Sequence, residues 1–70
     1  MELWSVYARS PEDPGRCAVR KILVEDDGLA PAEWELFGSL HEARRVLARR
    51  GLIRVPRDAQ DDPALVEVWV

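Results

Sequence analysis

The segment Ser39-Leu40-His41-Glu42, closed nine residues later by Gly51, constrains this chain more than any other. A Ser with a Glu three residues on is a capping-box pattern. The hydroxyl accepts from the N–H of Glu42, and the carboxylate reaches back to the N–H of Ser39. Gly51 supplies the left-handed residue on which many helices end. Between these signals Leu40, Ala43, Val46 and Leu47 fall within an arc of about 120° at ~100° per residue, a stripe suited to a core. Arg45 and Arg49 lie on the opposite side, with Arg44 and Arg50 towards the flanks. One helix is therefore expected, and the rest of the chain must be extended runs and turns.

Residues 3–9 alternate Trp4, Val6 and Ala8 with Ser5, Tyr7 and Arg9, the period of a half-buried strand. Pro11, Pro14 and Gly15 make 10–16 a loop. Residues 17–25, rich in Val, Ile and Leu, form a second strand paired antiparallel to the first. Asp26-Asp27-Gly28 ends it, and Pro31 is expected to keep the following chain out of regular structure. A short third strand covers 34–37, with Gly38 as the bend into the helix. After the helix, 52–55 form a fourth strand that Pro56 stops or confines to an edge. A polar loop with three Asp spans 57–63, and 65–70 form the last strand.

The expected architecture is a single α+β domain over residues 1–70, ordered β-β-β-α-β-β. One helix packs on one face of a mainly antiparallel four- or five-stranded sheet. A lone helix covers one face, so the second should be polar or an interface. In the last strand Val66, Val68 and Val70 claim the core side, which leaves Leu65, Glu67 and Trp69 as the expected partner surface. If that strand is an edge, a second copy would pair with it backbone to backbone.

A chain of 70 residues buries only ~60% of its unfolded surface, so good packing or a homodimer must supply stability. Cys17 is the only cysteine, which excludes an internal disulfide and leaves a Cys-based zinc site with too few ligands. No cationic start precedes an apolar run, and no unbroken apolar run is longer than that of Ile22-Leu23-Val24, so neither export nor a membrane span is expected. The free thiol suits a reducing cytoplasm. The net charge of −3 argues against a protein devoted to wrapping nucleic acid.

Six arginines (44, 45, 49, 50, 54 and 57) occur without an acid between positions 44 and 57. Guanidinium groups pair with phosphate oxygens, so Arg44, Arg45, Arg49 and Arg54 are the candidate surface for nucleic acid or an acidic partner. Against this stands a solvated helix face that offsets Glu33, Glu35 and Glu42, and no aromatic interleaves the run. The carboxylate groups Glu25-Asp26-Asp27 and Asp58 with Asp61-Asp62 lack calcium-loop spacing and read as turn chemistry. His41 has no recognisable catalytic partner, and Cys17 reads as a small core residue. Trp4, Trp34 and Trp69 are expected to build the core, with Trp69 the one at an interface. No catalytic, cofactor or metal residues are expected.

Val6-Tyr7, Pro11 to Pro14, Val19-Arg20, Glu42-Ala43-Arg44, Gly51-Leu52 and Asp61-Asp62-Pro63 through Val66-Glu67-Val68-Trp69 span most of the chain. In this arrangement it resembles small bacterial α+β proteins of uncharacterised function. That resemblance implies a fold and no activity. The expected function is a non-enzymatic cytoplasmic binding or adaptor module acting through a protein partner or its own homodimer. The alternative is a nucleic-acid-binding accessory protein using the arginine-rich helix face.

Overall fold

The computed structural model describes residues 1–56 and 64–70. The expected loop at 57–63, with Arg57, Asp58, Asp61 and Asp62, lies outside the described residues. The elements are β1 (Glu2–Tyr7), β2 (Cys17–Glu25), β3 (Gly28–Phe37), α1 (Leu40–Arg49), β4 (Arg54–Val55) and β5 (Leu65–Trp69). One antiparallel sheet contains all five strands in the order β3-β2-β1-β5-β4. The chain leaves β3 at one edge, crosses one face of the sheet as α1 and enters β4 at the other edge. No described helix is long and apolar enough to cross a membrane.

The helix begins as the sequence dictates, with one change. Ser39 Oγ accepts from Glu42 N at 3.1 Å, but the Glu42 carboxylate accepts from Gly38 N at 3.0 Å rather than from Ser39 N. The carboxylate therefore fastens the bend as well as the first turn. At the other end Gly51 takes φ +81, Gly51 N donates to Ala48 O, and Leu52 N donates to Leu47 O. That pair of bonds is a Schellman ending, with Leu52 packed against the core beside Leu40.

Two strand expectations need correction. Pro31 does not interrupt β3, which runs from Gly28 to Phe37 as the partner of β2. β3 is an edge strand whose register slips beside Pro31, between Arg20 and Ile22 of β2, and an edge strand tolerates the missing N–H. Asp26-Asp27 is accordingly the turn of a tight β2–β3 hairpin, with Glu25 opposite Gly28 at φ 135.

The second correction reverses the faces of β5. Leu65, Glu67 and Trp69 are buried at 8%, 3% and 8% exposure, while Val66 and Val68 are half-buried and Val70 is exposed. Trp69 joins Val6, Cys17, Val19, Ala43 and Leu47 in the core under the helix, with Trp4 and Phe37 at its margin. β5 is also internal, paired with β1 on one side and β4 on the other. Leu65, Glu67 and Trp69 therefore offer neither a partner surface nor an edge.

Glu67 explains why the pattern misleads. A carboxylate between two apolar residues normally marks a solvent face, but this one is neutralised from the helix. Arg44 Nε and Nη2 donate to Glu67 Oε1 at 3.0 and 2.7 Å, and the Trp69 indole N–H donates to Oε2 at 2.6 Å. Burial alone would raise the Glu67 pKa. The bonds from Arg44 and Trp69, with the charges of Arg44 and Arg54, outweigh burial and hold it below the ordinary value.

Candidate interaction surface

Cross-strand partners share a face, so the register assigns every strand residue outside the bulges. The face away from the helix carries Leu3, Ser5 and Tyr7 from β1, and Ala18, Arg20, Ile22 and Val24 from β2. Opposite these on β3 lie Leu36, Trp34, Pro31 and Leu29. Val68 pairs with Ser5 on one side and Val55 on the other. Val70 follows by alternation, and Ile53 exchanges both backbone hydrogen bonds with it, at 2.8 and 2.9 Å. The middle row across the sheet therefore reads Trp34, Arg20, Ser5, Val68, Val55.

This face is apolar, and among the described residues no element packs over it. Six large hydrophobic side chains are exposed among the described residues: Met1, Leu29, Leu36, Ile53, Val55 and Val70. All six lie on it, since Met1 stands beside Val24, whose N–H donates to the Met1 carbonyl. Leu29 and Ile53 are 68% and 70% exposed. Single exposed hydrophobics are ordinary, but a contiguous set on one face marks a docking surface.

One end of the face is aromatic. Tyr7 and Trp34 meet edge to face, with centroids 5.2 Å apart. The Arg20 guanidinium lies over the Trp34 ring at 4.9 Å, and its Nε donates to the Ala32 carbonyl at 3.0 Å. Arg20 is thus held flat against the face, its charge partly satisfied within the chain. Beyond Tyr7 an apolar recess of about 500 Å³ opens between Trp34, Pro11 and Pro14. At the centre of the face Ser5 and Ala18 are buried.

The structure disperses the arginine set. Arg44 is engaged by Glu67, and Arg54 stands beside it around a small recess that Glu67 also lines. Arg50 is held bidentate by Glu35 at 2.7 and 3.0 Å, which keeps the Glu35 carboxyl below its ordinary pKa. Among the four candidate residues, Arg45 and Arg49 are exposed without a carboxylate partner. The other chemical candidates are equally separated. Cys17 is buried and donates its thiol to the Tyr7 carbonyl at 3.1 Å; burial first and the Glu67 charge second push its pKa up. His41 is exposed on the first turn of α1. No group of three His, Cys, Asp or Glu able to hold a metal occurs among the described residues.

The sequence did carry a signal for the uncovered face. β2 is apolar on both sides, with Cys17 and Val19 towards the helix and Ala18, Ile22 and Val24 away from it. Near-continuous apolar strands are those covered on both faces. A five-stranded sheet with one helix leaves that second cover unsupplied. No family model, curated protein sequence or solved structure matches this chain.

Proposed function

We propose that the protein is a non-enzymatic binding module that acts through the uncovered face of its sheet. The observation that carries this reading is the segregation of all six exposed large hydrophobics onto one face opposite the helix. A folded chain that places a sheet-wide apolar surface against water carries a cost in solubility and aggregation, which a protein partner removes. The aromatic end supplies the residue types that dominate binding energy at protein interfaces.

The test is affinity capture from native-host lysate, with and without nuclease, with three baits compared. Wild-type bait is expected to retain proteins, untagged copies of itself included. A Leu36→Glu, Val55→Glu bait should lose them, and an Arg45→Glu, Arg49→Glu bait should keep them. Retention that survives the sheet-face variant overturns the assignment. Retention abolished by nuclease and by the arginine variant transfers the function to nucleic acid, with affinity falling steeply as salt is added.

A further inference from the structure

Resting on that reading, we propose that the occupant of the uncovered face is a second copy of this chain, stacked face to face about a twofold axis along β1. The area is of the right size. Five strands at ~4.8 Å spacing and about six residues at ~3.3 Å each give a projected face of ~480 Å² per copy. Two copies bury about 1,000 Å² before side-chain relief is counted, the range at which a specific interface begins.

The distribution of side chains fits self-pairing with that axis. β1 is the central strand, so rotation about it lays the β2–β3 half of one copy on the β5–β4 half of the other. In the middle row Trp34 of one copy then meets Val55 of the other, and Arg20 meets Val68. The two Arg20 side chains fall on opposite sides of the axis, apart from each other. Arg20 is the one charged side chain among those the register places on this face, so no like-charged pair of side chains opposes stacking.

Edge-to-edge association is the alternative route, and both edges are blunted. β4 is two residues long and followed by Pro56. β3 carries Pro31 and a register slip, with Glu33 and Glu35 along it. Stacked sheets about 10 Å apart are the geometry that remains.

Sedimentation equilibrium on the full chain from about 1 to about 200 µM tests this, because mass action sets the dimer fraction. The expected wild-type mass is twice the 8.0 kDa chain mass at the upper concentrations. Leu36→Glu and Val55→Glu, exposed residues at opposite edges of the face, should each weaken association by about a hundredfold or more with unchanged far-UV circular dichroism. Arg45→Glu on the far side of the helix should leave the dimer intact. Interprotomer contacts between Trp34 and Val55 or Val68, read by isotope-filtered NMR on a mixed-label sample, should accompany the dimer. A wild type monomeric throughout, or a dimer that persists in both face variants, overturns the proposal. A monomer whose face still captures another protein leaves the binding-module reading standing. A monomer whose captures ignore the face removes both.

Discussion

Glu67 is the residue on which reading and structure part, and it makes its own prediction. Its carboxylate is 3% exposed and takes hydrogen bonds from Arg44 and Trp69, which leave its pKa below the ordinary value despite burial. A depressed carboxylate contributes stability that is fully present above its unfolded pKa and is lost as pH falls through the folded one. Glu67→Gln retains an acceptor for the indole but removes the charge facing Arg44. At pH 7 the variant should be less stable than wild type by about 1–3 kcal/mol, as for a buried charged hydrogen bond. Below the ordinary carboxylate range the gap should close, since wild type then carries a neutral acid at the same place. Urea denaturation at a series of pH values reads the difference directly, and a gap that stays constant to pH ~3 would show that the charge is not its source. No sequence rule pairs position 44 with position 67, so this residue was not legible in advance: the two meet only because α1 crosses over β5.

Elements whose ends are set by local chemistry were readable, and those set by neighbours were not. The helix follows from Ser39, Glu42 and Gly51, all acting within a few residues, whereas β3 continues through Pro31 only because β2 lies on one side and nothing on the other. Ser39→Ala should therefore cost about 1 kcal/mol, the ordinary loss of an N-cap acceptor. Gly51 is a sharper case, because a Cβ there meets no atom within 4 Å and the residue sits at φ +81. Gly51→Ala should destabilise by about 1–2 kcal/mol through backbone conformation alone. Gly51→Asn should cost less, because asparagine tolerates the left-handed region. Equal losses for Ala and Asn in urea denaturation would mean that the φ angle is not what Gly51 contributes. The Arg50–Glu35 pair that ties the same helix end to β3 is more than a third exposed on both sides, and its loss should change stability by less than about 1 kcal/mol.

For the whole molecule, element order and the single helix were legible, but the identity of the second face was not. Which side of β5 faced the helix hung on one buried acid, and the reading that treated it as solvent-facing placed the partner surface on the core. The apolar character of the true second face is spread over residues 1–70, in ones and twos per strand, and becomes a surface only through the register of all five strands. If two such faces stack, folding and association are one equilibrium, and thermal stability must depend on concentration. A tenfold rise in protein shifts the free energy of the dimer by about 1.4 kcal/mol. Unfolding two chains of 70 residues at ~2.1 cal/mol/K per residue carries an entropy near 0.29 kcal/mol/K, so Tm should climb by about 5 °C per decade. Leu36→Glu should abolish that slope, giving a Tm that is lower and flat, because each dimer would bury two unpaired carboxylates at the edge of the stack. Scanning calorimetry across two decades of concentration measures both slopes. A wild-type Tm that does not move would mean that the protomer's own small core, with Leu47, Val6 and Val19 its largest fully buried side chains, sustains the fold unaided.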